Sequence, residues 1–281
     1  MTKARLNLRM QLASVIVASV SMFFLPACAG REGGGAAAST EGGEESLTDR
    51  DLTHRPSWAF VSIADVDPTI IVEMRYYGVH NFVGKQVRGY NAPKCYLTKP
   101  AATALARVQA ELKPMNLSLK VYDCYRPQRG VDHFVEWAKD LADTKMKKEF
   151  YPTVDKSRLF IDGYIAEKSG HTRGSTMDLT IVSLPAGDQE VYKEGDPLRE
   201  CTLPADQRFK DNSLDFGTGY DCFDVQSHAY NPALPGPHRG LRMLLQSIMD
   251  KHGFKGLAEE WWHFTLRNEP FPNTYFNFPI E

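Results

Sequence analysis

Ser169-Gly170-His171-Thr172-Arg173-Gly174-Ser175-Thr176-Met177-Asp178 places an imidazole and a carboxylate seven positions apart, on either side of an Arg-Gly bend. On one continuous strand, residues seven apart face opposite sides of a sheet. For the two to meet, a loop must donate His171 and the strand after Gly174 must donate Asp178. The apolar run Met177-Asp178-Leu179-Thr180-Ile181-Val182 reads as that buried strand. Alone, such a pair is more often a surface hydrogen bond than a metal site, so a third ligand decides.

Glu260-Trp261-Trp262-His263 supplies one. Alternation from Trp261 to Leu266 reads as the last strand, with His263 on one face beside Trp261 and Thr265, and Trp262, Phe264 and Leu266 on the other. His171, Asp178 and His263 together are the inventory of a catalytic Zn2+ site, one ion per chain. They leave the fourth tetrahedral position open for a water that such an ion acidifies toward a pKa of about 7. Glu260, at the turn into the strand, can take a proton from that water and pass it to a leaving amine; the plainer reading is a surface carboxylate, as for Glu259. Arg126, between Tyr125 and Pro127 at a strand end, either stabilises an oxyanion or forms a structural ion pair with Asp123. Spacing leaves both open.

Working outward, Ser62 to Tyr77 reads as an opening strand, and Gly78 to Tyr96 as a long packed loop. Thr98 caps a helix with Pro100 in its first turn, running to Lys113 and ended by Pro114. Leu117 to Tyr122 alternates as a strand, and Gln128 to Leu141 and Arg239 to His252 carry helical periods, the second stopped by Gly253. Residues 184–215, rich in Pro, Gly and charge, form an excursion containing Cys201. The irregular alternation predicts an α+β fold: a single domain, 51–281, with a central antiparallel sheet flanked by helices.

The first fifty residues stand apart. Lys3, Arg5 and Arg9 precede an apolar run from Leu12 to Phe24, too short for a comfortable bilayer span and suited to a secretory signal peptide over 1–27. Leu25-Pro26-Ala27-Cys28 resembles a bacterial lipobox, with Cys28 lipidated after cleavage; the alternative is a plain signal peptide that leaves a free thiol. Acyl chains, at about 0.8 kcal/mol per buried methylene, would anchor the chain to a membrane. Residues 28–50 then serve as a flexible tether, since Gly, Ala, Ser and Glu cannot bury enough to offset ordering entropy. The expected location is exported: periplasmic or cell envelope, lipid-anchored to a bacterial membrane.

Removing 1–27 deletes three positive charges and no negative ones, taking the net charge from −2 to −5. No basic stripe remains, which argues against nucleic acid as a partner. Apart from Cys28, the cysteines are Cys95, Cys124, Cys201 and Cys222. An even set in an exported chain suggests disulfides, with Cys95–Cys124 and Cys201–Cys222 favoured, the second because its loop is short. Two reduced, buried pairs are the other reading.

These residues carry a resemblance. Ser169-x-His171-x-Arg173-Gly174-Ser175-x-x-Asp178 with Glu260-Trp261-Trp262-His263 resembles the D-alanyl-D-alanine dipeptidases. So do Asn81-Phe82-x-Gly84-Lys85, Asp123-x-Tyr125-Arg126-Pro127, Gly163-Tyr164-Ile165-Ala166, Phe223-Asp224-x-x-Ser227-His228 and Asn268-Glu269-Pro270-x-Pro272-Asn273-x-Tyr275-Phe276, over residues 58–281. The resemblance implies the α+β fold shared by zinc D,D-carboxypeptidases and the Hedgehog signalling domain. It implies His171, Asp178 and His263 as zinc ligands, Glu260 as general base and acid, and Arg126 as oxyanion stabiliser. It further implies that Asp221 and the Tyr76 backbone carbonyl hold the substrate ammonium, with Ser169 lining the same pocket. The substrate would be the small dipeptide D-Ala-D-Ala. The alternatives are a murein D,D- or L,D-carboxypeptidase with an open cleft, or a non-catalytic zinc-stabilised binding module. The lipobox, the tether and the 184–215 excursion depart from the family pattern. A Cys201–Cys222 bond would fix the neighbouring Asp221.

Overall fold

The computed structural model describes residues 47–281. The expected signal peptide, Cys28 and most of the expected tether lie outside the described residues. Leu47 already packs against the core and α1 (Asp49–Thr53) follows, so the fold begins slightly ahead of the expected start at 51.

Twelve further helices and strands follow: β1 (Phe60–Ser62), α2 (Ile63–Val66), β2 (Ile71–Val72), β3 (Tyr96–Thr98), α3 (Lys99–Leu112), β4 (Leu117–Asp123), α4 (Gln128–Lys139), α5 (Lys147–Phe150), β5 (Thr176–Ser183), α6 (Gly236–Lys251), β6 (Phe254–Gly256) and β7 (His263–Leu266). Five strands form the main sheet in the order β2-β4-β5-β7-β6. Only β2–β4 is parallel; the other pairs are antiparallel, as is the separate β1–β3 ribbon. The fold is the expected α+β class.

Helix α3 starts after Thr98 with Pro100 in its first turn and buries Ala101, Ala104, Leu105, Val108 and Leu112, the stripe its period predicts. The expected opening strand over 62–77 breaks into β1, the single turn α2, and the two residues of β2. The cause is local. Pro68 lacks a donor, and Asp67 Oδ1 accepts from both the Thr69 N–H and its hydroxyl, closing a turn where a strand would continue.

The last strand is also shorter than expected. Trp261 and Trp262 precede β7 in a turn, where the Trp261 indole stacks on Phe216 at 4.3 Å and donates to Thr218 Oγ1 at 2.9 Å. Trp262 meets the Tyr220 ring edge-on at 5.5 Å, so both indoles are buried from this turn. Strand β6 was not expected; Phe254-Lys255-Gly256 is too short and too mixed to signal a strand.

Register positions the chemistry. Asp178 of β5 lies opposite His263 of β7 and, after an irregularity between Val121 and Asp123, opposite Asp123 of β4. Side chains directly opposite on antiparallel strands have Cβ atoms about 5 Å apart, so adjacent strands bring these polar groups together. Both disulfides, Cys95–Cys124 and Cys201–Cys222, are formed.

Candidate active site

His171 sits in a 3-10 turn, Gly170–Arg173, ahead of β5. The Ser169 hydroxyl accepts from the His171 N–H at 3.3 Å and caps the turn, and Gly174 ends it at φ +81°. A Cβ at Gly174 would run into the Phe60 ring, so the bend needs glycine for both conformation and space. The turn swings His171 back onto the strand it precedes, and the seven-residue spacing becomes a contact.

His171 Nε2 lies 3.3 Å from Asp178 Oδ1 and 3.3 Å from His263 Nδ1, and His263 Nδ1 lies 3.1 Å from the same Asp178 oxygen. Asp178 Oδ1 is buried and accepts no hydrogen bond. A tetrahedron with arms of about 2.0 Å, the usual span for zinc-bound nitrogen and oxygen, has edges of about 3.3 Å. The three atoms therefore stand at three corners of such a figure, and a divalent cation fits them. Among the described residues this is the one such cluster.

The surroundings orient these ligands. His171 Nδ1 lies 2.8 Å from the Cys124 carbonyl; donation there leaves Nε2 with its lone pair toward the cluster. The Cys95–Cys124 disulfide tethers the residue that carries this carbonyl. Burial alone would raise the Asp178 carboxyl, but His171 and then His263 overcome it and hold it far below the carboxylate range. Glu260 Oε2 is 3.4 Å from His263 Nδ1. Burial pushes the Glu260 carboxyl up to about 7, with Asp178 adding to the rise and His263 and Arg126 opposing it.

Of the two readings open for Arg126, the ion pair with Asp123 is present. Its Nε and one terminal nitrogen contact Asp123 Oδ2 at 2.9 and 2.8 Å, and its guanidinium lies over the Tyr76 and Phe134 rings at 5.0 and 4.9 Å. The ion pair clamps the cation at the wall of the pocket, 3.8 Å from Asp178 Oδ2.

The pocket is a cavity of about 360 Å3 whose lining includes His171, Asp178, His263, Glu260, Arg126, Ser169, Asp221 and Tyr76. All eight catalytic, ligand and pocket residues expected from sequence thus share one cavity. Asp221 adopts φ +56° between Tyr220 and the disulfide-bonded Cys222, and its Oδ2 accepts from the Tyr76 hydroxyl at 2.7 Å. Burial, then the nearby Asp178, pushes its carboxyl well above the ordinary range. The Tyr76 carbonyl accepts the Val87 N–H at 2.9 Å, so the side chain of Tyr76 adds a contact that its expected backbone role did not include.

Sequence reasoning paired Asp123 with Arg126 but missed its contact with His171, and it missed the Cys124 carbonyl and the Tyr220 hydroxyl, which reaches Asp178 Oδ2. Asp123 touches both Arg126 and His171, its Oδ2 lying 3.5 Å from His171 Nδ1, and it accepts from the Tyr90 hydroxyl at 2.7 Å. Its adjacency to the Tyr125-Arg126-Pro127 motif was the available signal. The Cys124 carbonyl and the Tyr220 hydroxyl left none, because a backbone acceptor and a contact across the fold have no local pattern.

An α+β scaffold holding a His-Asp-His cluster, a neighbouring carboxylate and a clamped guanidinium in one cavity defines a metal-dependent hydrolase. The chain belongs to the D-ala-D-ala dipeptidase family, whose profile matches residues 57–189 and 201–281. It is 36% identical over 208 residues to a D-alanyl-D-alanine dipeptidase of Streptomyces coelicolor, covering 74% of this chain and 91% of that one. A dipeptidase of the same name from Enterococcus faecalis is 32% identical, with 74% and 91% covered. The one from Escherichia coli is 29% identical, with 73% and 83% covered. The unmatched gap, 190–200, falls inside the excursion that departs from the family pattern.

Proposed function

We propose that the protein is a zinc dipeptidase of the cell envelope that hydrolyses D-Ala-D-Ala to two D-Ala. The observation that carries this is the convergence of the three ligand atoms, Glu260 and Arg126 on one small cavity. Among the described residues a single cluster supports one ion per chain. Zinc held by His171, Asp178 and His263 would supply Lewis-acid polarisation of the scissile carbonyl.

The protein's own groups do the rest. Glu260, beside His263, takes a proton from the attacking water and returns it to the leaving amine, a task suited to a carboxyl whose affinity for protons is raised. Arg126, fixed by Asp123 and two aromatic rings, meets the negative charge that develops on the carbonyl oxygen. Asp221 takes the substrate ammonium, which brings the positive charge its buried site lacks, and Tyr76 and Ser169 line the same pocket. Lys168 and Lys255, also on the lining, offer cations to the substrate carboxylate. Matching both ends in one cavity favours a dipeptide over longer chains. The lipobox at Cys28 and the tether would hold this domain at a bacterial membrane.

Glu260→Ala is the test of the assigned roles. We expect metal content equal to the parent protein and a loss of kcat of at least about 100-fold. Retained hydrolysis would remove Glu260 from the chemistry, and hydrolysis absent from the parent protein too would favour a binding module.

A further inference from the structure

Asp178 has two oxygens in different surroundings. Oδ1 points at the two histidine nitrogens and accepts no hydrogen bond. Oδ2 accepts from the Tyr220 hydroxyl at 3.1 Å, with an Arg126 terminal nitrogen 3.8 Å away. Tyr220 is 4% exposed and has little freedom to leave. Its ring stacks on Tyr122 at 4.3 Å with planes 17° apart and meets Trp262 edge-on at 5.5 Å.

Tyr122 is fixed in turn: its hydroxyl donates to Asp211 Oδ2 at 2.5 Å. Asp211 comes from the excursion, where its backbone carbonyl accepts from buried Lys120 and its carboxylate lies 3.5 Å from Arg75. On its other side, Tyr220 adjoins Asp221 and the Cys201–Cys222 bond, and the Gly219 N–H donates to the Cys201 carbonyl at 2.8 Å.

We infer that Tyr220 is a positioning residue for the metal centre: its hydroxyl occupies Asp178 Oδ2 and leaves Oδ1 as the single carboxylate donor. A carboxylate free to rotate would spread its charge over two donor atoms and alternate orientations. One held by a buried phenol presents one oxygen at a fixed corner beside the two imidazoles, and partners of this kind commonly change metal affinity by about 10–100-fold. Through Tyr122 and Asp211, the excursion that departs from the family pattern also braces the ligand from behind. The inference rests on the metal-centre reading and is independent of the substrate.

Tyr220→Phe removes one oxygen and keeps both ring contacts. Zinc dissociation constants of the apo full-length protein and of this variant are measured by competition with a chromophoric chelator, alongside their thermal midpoints without metal. The expected result is a dissociation constant about 10–100-fold higher in the variant, with kcat restored at saturating zinc. A constant within about twofold of the parent, or a kcat that excess zinc does not restore, overturns the inference. A crystal structure of the unaltered zinc-loaded protein supplies a second reading. One Asp178 oxygen on the ion and the other on Tyr220 supports the inference, and two oxygens on the ion contradicts it. Failure of the unaltered protein to bind zinc would sink the metal reading itself, whereas zinc binding without dipeptide hydrolysis would sink only the substrate assignment.

Discussion

At the scale of single residues, the site depends on neighbours that hold each group in place: the Cys124 carbonyl orients His171, and Asp123 holds Arg126. His171, Asp178 and His263 were recognisable as ligand-forming types at suggestive spacings, but their meeting depends on the opposed register of β5 and β7 and on the left-handed Gly174. Arg126 shows the limit clearly: spacing could not separate an ion pair from an oxyanion donor, because the Asp123 pair is what holds the guanidinium at the cavity wall. Arg126→Lys tests this. Lysine keeps the charge and loses the planar fork that both Asp123 and the aromatic rings engage. We expect kcat for D-Ala-D-Ala to fall by about 100–1000-fold with KM changed far less; an equal rise in KM at constant kcat would make Arg126 a ground-state binder.

At the scale of elements, long periodic segments were read well and short ones were not. Helices α3 and α4 announce themselves through their apolar stripes. The opening strand broke because the Asp67-Pro68-Thr69 turn outweighed the β-rich composition around it, and β6 rests on pairing with β7 and on one buried side chain, Phe254, too little to show as a pattern. The excursion has no regular secondary structure from 184 to 215, yet it is tied into the fold, and two of its ties bear on the site. One is the Cys201–Cys222 bond, which closes a loop of 21-residue separation and is worth roughly 3 kcal/mol. Cys201→Ser paired with Cys222→Ser should lose about that much in urea unfolding and raise KM through a looser Asp221. Unchanged stability and kinetics would dispose of the role.

The second tie is Asp211. Burial alone would raise its carboxyl, but Lys120 and then Arg75 bring it below the ordinary carboxylate value. A carboxyl depressed in the folded state contributes stability that is complete above its unfolded pKa of about 4 and is lost as pH falls through the lower folded value. Urea midpoints should therefore drop more steeply below about pH 4 in the parent protein than in Asp211→Asn. Equal acid slopes would show that the charge at Asp211 adds nothing.

At the scale of the whole molecule, the fold class was legible because apolar periodicity and turn residues set α+β composition locally, while strand order and register are non-local and were not. The membrane address belongs to this scale too. Lipidation at Cys28 predicts that the full-length protein enters the detergent phase on Triton X-114 partition and that Cys28→Ser moves it to the aqueous phase; an aqueous parent protein would refute the anchor. The central claim concerns chemistry, and the most direct measurement is zinc content determined together with D-Ala release from D-Ala-D-Ala, L-Ala-L-Ala and an N-acylated D-Ala-D-Ala. The expected result is one zinc per chain, release from D-Ala-D-Ala, and little or none from the other two. Faster release from the N-acylated peptide, or release with no bound metal, would contradict it.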